Sequence, residues 1–386
     1  LDDLGAVWGE VAGWERPNWF ALAGMERDYV YSYGKQNWYP ASAAECDAVR
    51  QRVGVFDQSS FAKFTLTGPA ALAVHNRHGS ADVDTAIGKV GYTQWLNERG
   101  GIEADLTVTR TGEDSFLIIT GAAVENRDWH TLRRAARGHD CVLENITHDL
   151  PTIGVMGPDS RALLASLTDA ALDNEAFPFS TSQEIEVGGV PVLAMRLSYV
   201  GELGWELHVA RDRAVELFDA VMAAGEPYGI KPAGYHTLNT LRLESGYRHW
   251  GHDITDEDTP IEAGLSFTIA WDKEGGFNGR DVLLEQKAQP HRVKRLVQFK
   301  LEDPEVIVYH DEPIYRNGEI VGRTTSGMYG HTVGSCLAMG YLVNEDGVTN
   351  DWLESGTYEI EVANVRVPAA WSLRSFYDPK NERIRI

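Results

Sequence analysis

The sequence predicts an α+β protein with antiparallel sheets and a separate C-terminal β domain. The chain has 386 residues, more than one ordinary hydrophobic core organises, so two or three domains are expected. Between residues 61 and 120, short runs of alternating apolar and polar residues are separated by turns, as in antiparallel strands. After about residue 285, short strands alternate with turns, and Asn317-Gly318 is a strong hairpin motif.

The first half of the chain supplies most of one predicted sheet. Strands are expected where β-branched or aromatic residues alternate with polar ones, and helices where apolar residues recur every three to four positions. The predicted elements are a helix over 42–53, a strand over 61–67, a short helix over 70–76, strands over 91–96, 102–108 and 115–120, and a helix over 128–137. A strand over 152–156 follows, and Asp159 or Ser160 is expected to cap a helix over 161–167.

The second half begins with a predicted hairpin over 184–195 that turns at Gly188-Gly189. The next strand, over 197–209, contains two glycines that predict a bend or a bulge. Apolar residues recur at helical spacing over 214–222, with Gly225 as the expected stop, and this stripe indicates core packing rather than a cofactor site. A helix over 235–244 follows, and residues from Val293 onward are predicted to form the small β domain.

Composition divides the chain into three predicted parts. Residues 1–40 contain four tryptophans and show little periodicity, which is typical of a linker or docking segment that packs across a neighbouring domain or subunit. Residues 41–285 form the expected central region, and residues 286–386 the expected C-terminal domain.

Charge and motif content exclude several classes of function. The formal net charge of −22 disfavours nucleic acid and anionic membranes as main partners. The three cysteines have neither a zinc spacing nor a CxxC motif, which favours reduced thiols; we expect a cytoplasmic protein, with the mitochondrial matrix as the alternative. The sequence contains no dinucleotide-binding GxGxxG motif, no phosphate-binding loop and no GxSxG elbow. No apolar run is long enough to span a membrane.

The stretch from Gly100 to Val108 is the strongest candidate for chemistry. Its alternation places Asp105 on the polar face of a half-buried strand, where a carboxylate either meets a ligand or faces water. On the pattern alone, the solvated alternative is favoured because charged side chains are usually exposed. The segment from His249 to Asp253 contains three side chains that coordinate metals, but its spacing fits no established motif and favours a structural loop.

Four further residues near glycines or element ends complete the candidate set: Tyr92, Tyr199, Glu206 and Arg242. Each one alone also fits a structural role, since buried tyrosines and paired arginines are common in protein cores. Their order and surroundings are more specific. Gly91-Tyr92, Gly100 to Leu106, Tyr199 to Glu206, Leu241 to Gly246, Thr259 to Leu265 and the late Thr325 to Tyr329 together resemble the aminomethyltransferase (glycine-cleavage T-protein) family.

One branch of that family is especially similar. Glu15 to Phe20, Gln36 to Trp38, Gly54 to Asp57, Ser59 to Phe64 and Tyr247 to Asp253 resemble the tetrahydrofolate-binding half of dimethylglycine and sarcosine dehydrogenases and dimethylglycine oxidases. The resemblance implies a clover-leaf of three subdomains, two of them interleaved in the central region, with a C-terminal β-barrel domain. It also implies tetrahydrofolate as cofactor, and a separate FAD-containing domain or other catalytic partner that this chain lacks.

The resemblance further implies roles for the candidate residues. Glu206 would accept hydrogen bonds from the pterin edge of tetrahydrofolate, Tyr92 and Tyr199 would line the pocket, and Asp105 would act as catalytic carboxylate near folate N10. Cations for the glutamate tail would be Arg242, Arg248 or Arg374, which the sequence does not rank.

The implied reaction converts formaldehyde or an iminium, released from a dimethylglycine- or sarcosine-type amine, together with tetrahydrofolate into 5,10-methylenetetrahydrofolate. Two alternatives stay open. One is a free-standing tetrahydrofolate-dependent methyltransferase or demethylase, and the other is a folate-binding subunit without catalysis.

Overall fold

The computed structural model describes residues 1–386 and contains nineteen strands, numbered here in chain order. The strands are β1 (Ala6–Val11), β2 (Trp14–Phe20), β3 (Gly54–Asp57), β4 (Ala62–Thr67), β5 (Val90–Leu96), β6 (Ile102–Gly112), β7 (Ser115–Thr120), β8 (Val142–Asn145), β9 (Thr152–Met156), β10 (Ser182–Val187), β11 (Val190–Met195), β12 (Gly204–Val209), β13 (Lys231–Pro232), β14 (Lys294–Leu301), β15 (Pro313–Arg316), β16 (Glu319–Gly330), β17 (Ser335–Val343), β18 (Tyr358–Val362) and β19 (Val365–Ser372). The helices are α1 (Tyr39–Gln51), α2 (Ala71–His78), α3 (Glu125–Ala135), α4 (Ser160–Ala165), α5 (Ala214–Gly225), α6 (Tyr235–Glu244), α7 (Arg280–Ala288) and α8 (Asn350–Glu354). No helix has both the length and the apolar content that crossing a lipid bilayer requires.

The strands form two open sheets, a closed barrel and an N-terminal hairpin. One sheet has five antiparallel strands in the order β5-β6-β7-β4-β8. The other has six strands in the order β10-β11-β12-β9-β3-β13, which are antiparallel except that β13 runs parallel to β3. Strands β14 to β19 close a six-stranded barrel in the order β14-β17-β16-β15-β18-β19. The α+β class, the antiparallel sheets and the C-terminal barrel predicted from the sequence are therefore confirmed.

Separate apolar cores stabilise these units. The six-stranded sheet packs against α4 and α5 around the fully buried Trp205. The five-stranded sheet buries Phe64 and Trp95 among its own core residues, and the barrel is filled around Phe299. Burial of apolar surface at about 25 cal/mol per Å² is the main term that stabilises each unit.

The N-terminal hairpin of β1 and β2 is a regular element that the sequence did not predict. Trp19 is fully buried, in a cluster that includes Trp38 from the start of α1 and Ile307 from the barrel domain. The α1 residue Glu45 accepts hydrogen bonds from the backbone of Phe20 at 2.7 Å and of Gly234 at 2.9 Å. One buried carboxylate thus joins the hairpin to the beginning of α6.

Two local predictions require correction, and a third holds for a different physical reason. Asp159 occupies the cap position of α4 but makes no side-chain cap bond, because its backbone is already helical, and Ser160 Oγ donates to the carbonyl of Leu203 instead. The strand predicted over 197–209 begins only at Gly204, since Ser198 Oγ accepts three backbone N–H bonds and forms a loop. Helix α5 does end at Gly225, but that glycine has a helical φ and is small because Ile230 packs against it.

A buried ionic network ties the last residues of the chain to the central region. Arg50 is bonded to Glu202 at 3.2 Å and to Glu244 at 2.8 Å, and all three side chains are almost fully buried. Arg383 donates to Glu202 at 2.8 Å and to the carbonyl of Arg50 at 3.0 Å. Tyr377 stacks on the Arg50 guanidinium and donates its hydroxyl to Glu202.

Candidate functional site

Two rows of side chains face each other between the open sheets. Cross-strand partners point to the same face of a sheet. In the five-stranded sheet, the row across β5, β6, β7 and β4 is Tyr92, Thr107, Ile119 and Lys63. In the six-stranded sheet, the row across β11, β12, β9 and β3 is Met195, Glu206, Gly154 and Phe56. Ile119 and Met195 lie in one apolar cluster, so the two rows meet and enclose the polar groups beside them.

Asp105 lies two residues before Thr107 on β6 and therefore points to the same face. It is half-buried rather than solvated, which corrects the interpretation favoured by the alternation pattern alone. Gln94, its partner on β5, donates from Nε2 to Asp105 Oδ1 at 2.8 Å, while Gln94 Oε1 accepts from Thr268 at 2.6 Å. Burial raises the pKa of Asp105 to about 6, although the Gln94 bond opposes the rise.

Two tyrosines and one arginine surround Asp105. The Tyr92 hydroxyl lies close to the carboxylate, and burial together with that negative charge raises the pKa of Tyr92. Tyr199 donates to the carbonyl of Arg248 at 2.7 Å and stacks on Tyr247 with ring centroids 6.1 Å apart. The Arg248 guanidinium is near enough to lower the pKa of both Asp105 and Tyr92. The structure therefore brings Tyr92, Asp105 and Tyr199 together.

Glu206 lies on the opposing row, and 15% of its side chain is exposed. Burial raises the pKa of its carboxyl to about 7, and the charge of Lys63 opposes this rise. His208 points to the same face of β12, with its Nε2 atom 3.9 Å from Glu206 Oε2 and its Nδ1 atom 2.8 Å from Thr152 Oγ1. Glu206 is thus a carboxylate of raised proton affinity that faces Lys63 on the other sheet.

The row of Met195, Glu206, Gly154 and Phe56 is here called the floor of the site. Two buried polar atoms beside the floor have no hydrogen-bond partner in the protein: His208 Nε2 and Gln58 Oε1. Gly154 lies beside them on β9, and a Cβ there would be 2.4 Å from Gln58 Oε1. Unpaired polar atoms are costly when buried and are retained where a ligand or water completes them. The floor therefore offers unmet hydrogen-bonding capacity next to a carboxylate.

Arg242 does not reach this floor. It is buried between α6 and the barrel, where it donates to Asp253 at 2.6 Å and to Ser326 on β16 at 2.9 Å. Asp253 also accepts from the backbone of His249 and from Thr325. The His249 to Asp253 segment is accordingly a hydrogen-bonded loop whose carboxylate is already used, and Arg242 belongs to the scaffold that holds it.

The other two arginines considered for a glutamate tail differ in availability. Arg248 donates from its guanidinium to the carbonyls of Ala263 and Gly246, at 2.7 to 3.0 Å. Arg374 is exposed and its side chain has no partner in the protein. Of the three predicted arginines, Arg374 is the one whose guanidinium is free.

Lys63, His208, Gln58 and Gln94 are site residues that the sequence did not indicate. In sequence, Lys63 lies in an ordinary alternating strand, where a lysine predicts a solvated face. It is fully buried because the face of β4 that carries it, beside Ile119, packs against the other open sheet, whose strand β11 carries Met195 far along the chain. In the sequence, only Gly154 on β9 and the polar residues Glu206 and His208 on β12 indicate a polar site here. None of the three predicts contact with β4.

The N-terminal domain model of the glycine-cleavage T-protein family matches residues 1–273. The C-terminal barrel domain model of the same family matches residues 294–378. The chain belongs to the glycine-cleavage T-protein family. Membership supports folate-dependent one-carbon transfer as its class of activity.

Relatives within the T-protein family include oxidoreductases. The chain is 44% identical to the 4-methylaminobutanoate oxidase (formaldehyde-forming) of Paenarthrobacter nicotinovorans, over 100% of this chain and 46% of the relative. It is 37% identical to the mitochondrial sarcosine dehydrogenase of Homo sapiens, over 99% of this chain and 46% of the relative. The chain thus spans about half the length of these curated relatives.

The T-protein fold is also found by structural comparison. The aminomethyltransferase T of the glycine cleavage system from Bartonella henselae superimposes with a TM-score of 0.82 at 24% identity, over 98% of this chain and 96% of that one. This likeness confirms the aminomethyltransferase-type arrangement expected from the sequence.

Proposed function

We propose that this T-protein family chain is the folate-binding half of an N-methyl amine dehydrogenase or demethylase. It combines tetrahydrofolate with formaldehyde, with release of water, or with an iminium, with release of the amine, to give 5,10-methylenetetrahydrofolate. The observation that carries this proposal is the placement of two carboxylates of raised pKa, Asp105 and Glu206, on facing rows of two sheets. Relatives of twice the length, named as oxidases and dehydrogenases of methylated amines, support an oxidising domain or subunit as the source of the one-carbon unit.

The residues of the floor suit a pterin. A pterin is a flat heterocycle whose amide-like edge presents N–H donors and a carbonyl acceptor, and a carboxylate accepts two such N–H groups well. Glu206 provides that carboxylate, and the unpaired Gln58 Oε1 and His208 Nε2 provide further polar contacts. Tetrahydrofolate, when bound, supplies two nucleophilic nitrogens that take up the one-carbon unit.

Asp105 supplies the base. Attack of a nitrogen on formaldehyde or an iminium leaves a proton that must be removed, and a positioned carboxylate accepts it. With a pKa of about 6, Asp105 is ionised at neutral pH yet more basic than an ordinary aspartate. Gln94 fixes the carboxylate in place, and Tyr92 and Tyr199 shape the pocket and exclude water from it. We assign the free Arg374 to the glutamate tail.

The test is calorimetric titration with tetrahydrofolate under anaerobic conditions. The wild-type chain is expected to bind in the micromolar range, and Glu206→Ala to weaken binding tenfold or more, about 1.4 kcal/mol. Glu186→Ala, an exposed glutamate on β10 of the same sheet, is the matched control and should bind like wild type. Absence of binding by a folded wild-type chain would contradict the proposal.

The second step tests Asp105. Formaldehyde labelled with ¹³C is added to the folate complex, and the new methylene carbon is followed by NMR after subtraction of the uncatalysed reaction. Asp105→Asn should retain folate binding and lose the catalysed rate by a factor of about 10² or more, whereas Asp114→Asn, in the exposed turn between β6 and β7, should not. Full activity of the Asp105 variant would remove this residue from the mechanism.

A further inference from the structure

Lys63 is a fully buried lysine on the row that faces Glu206. Its ammonium donates to the backbone carbonyl of Ser59 at 3.0 Å and forms no ion pair within 4 Å. A buried ammonium with a single carbonyl partner has two unused donors, which is costly unless another group compensates. The structure therefore contains an uncompensated cation within the walls of the proposed pocket.

The charges around Lys63 point towards Glu206. Glu206 on β12 is the largest contributor that favours protonated Lys63, followed by Asp57 on β3 and Glu125 on α3. In return, Lys63 is the one group that favours ionised Glu206 against burial. The charges of Lys63 and Glu206 thus influence each other across the space between the two sheets, although the two side chains form no ion pair.

His208 completes the group without adding charge. Burial lowers its pKa to about 3, so the imidazole is neutral. If Thr152 donates to Nδ1, the ring proton lies on Nε2, and this tautomer presents a donor on the side of Glu206. Its Nε2 atom has no protein partner at hydrogen-bonding distance.

We propose that Lys63 is a further residue that determines the folate affinity of the pocket, because its buried ammonium keeps Glu206 in its carboxylate form, with neutral His208 beside it. This inference rests on the proposed function. The carboxylate can accept pterin N–H groups only while it is ionised, so Lys63 acts on folate affinity through the charge of Glu206.

The pH dependence of folate binding follows from these charges. Binding needs ionised Glu206 and protonated Lys63, whose pKa values are about 7 and about 8 in the free protein. Affinity should therefore fall below about pH 7 as Glu206 takes up a proton, and above about pH 8 as Lys63 loses one. Lys63→Met removes the charge that opposes protonation of Glu206, so the acid limb should move to higher pH.

The experiment measures tetrahydrofolate affinity from pH 6 to 9 for the full chain. Lys63→Met is expected to bind at least tenfold more weakly at pH 7.5, and Lys63→Arg to recover part of that loss because it keeps the cation. The matched control is Lys273→Met, since Lys273 is also buried with a pKa lowered to about 8, but it bonds the carbonyls of Gly79 and Ala81 instead. Its binding profile should equal that of the wild type.

Three outcomes decide the proposal. A folded Lys63→Met chain that binds with wild-type affinity and pH profile overturns it while leaving the proposed function intact. If Lys63→Met does not fold, the wild-type profile decides, because a constant affinity between pH 7.5 and 9 also overturns the proposal. If the wild type binds no folate, the effect of Lys63 on Glu206 is measured from the carboxylate stretch of Glu206, isolated by infrared difference against Glu206→Gln. The proposal requires this band to titrate at higher pH in Lys63→Met than in the wild type, and Lys63→Arg to restore the wild-type titration. An unchanged titration in Lys63→Met overturns the proposal.

Discussion

At the scale of single residues, the two pocket carboxylates reach raised pKa values in different surroundings. Asp105 is held by a neutral amide, Gln94, which is itself fixed by Thr268. Glu206 has no direct hydrogen bond to a side chain and depends on a cation across the gap. Hydrogen-bond donors position a carboxylate precisely in space, whereas a separated charge sets only its ionisation. Asp105 is thus the more rigidly held of the two carboxylates.

Gln94→Met tests this role for the amide. The Gln94 bond lowers the pKa of Asp105, so removing it should raise that pKa by about one unit, the value of one hydrogen bond to a charged group. A base acts only when ionised, so at saturating tetrahydrofolate the acid limb of the pH–rate profile should move from about pH 6 to about pH 7. Gln51→Met, at the exposed end of α1, is the control. An unmoved limb would show that Gln94 does not govern Asp105.

What the sequence predicted at this scale depended on where the neighbours of each residue lie. Alternation within β6 placed Asp105 on its correct face, because the partners that define that face come from the adjacent strand. The burial of Lys63 could not be predicted, because the sheet that packs against its row lies far along the chain. That the donors of Arg242 are already occupied could not be predicted either, since its partner Ser326 belongs to the barrel.

At the scale of elements, the local sequence was enough to predict a strong turn motif, but it was not enough to predict the role of a glycine outside such a motif. The Asn317-Gly318 turn has φ values of 52° and 90°, as a two-residue hairpin requires, and it joins β15 to β16 as predicted. Gly101, directly before β6, lies against the carbonyl of Asp256, which a Cβ would approach to 1.9 Å. The glycine serves packing between two parts of the protein.

The hairpin of β1 and β2 depends on Glu45 of α1. Glu45→Gln should lower the free energy of unfolding by about 2 to 3 kcal/mol, because the new amide NH₂ faces backbone N–H groups and at least one buried donor loses its acceptor. Urea unfolding measures the change. Asp47→Asn, exposed on the same helix, should stay within about 0.5 kcal/mol of wild type. Equal stability of both variants would mean that Glu45 does not hold the hairpin.

At the scale of the whole molecule, buried charged side chains link the central region to the barrel domain. Arg50 is bonded to Glu202 and Glu244, from the β11–β12 loop and the end of α6, and Glu244 accepts from the backbone of Thr332 in the barrel domain at 2.6 Å. The central region and the barrel thus share one ionic network. Such groups cost free energy to bury, and their value lies in the arrangement they specify.

Arg50→Met tests this network. Two buried carboxylates would lose their shared cation, so the variant should be destabilised by about 3 to 5 kcal/mol in urea. Arg52→Met, exposed two residues further on, should differ from wild type by no more than about 0.5 kcal/mol. A small effect for Arg50→Met would indicate that water replaces the lost cation and that the network does not join the units.

The ionic network around Arg50 and Glu202 also determines when, during synthesis of the chain, the site can be completed. Glu202 and Arg50 emerge from the ribosome long before Arg383, which is 333 residues later than Arg50. Until Arg383 and Tyr377 arrive, one side of Glu202 has only water as a partner, and the loop from Ser198 to Gly201 that carries Tyr199 keeps an open neighbour. The wall of the pocket that holds Tyr199 is therefore completed by residues that are made long after both sheets, so a nascent chain stalled before residue 377 would carry both sheets and an unfinished site.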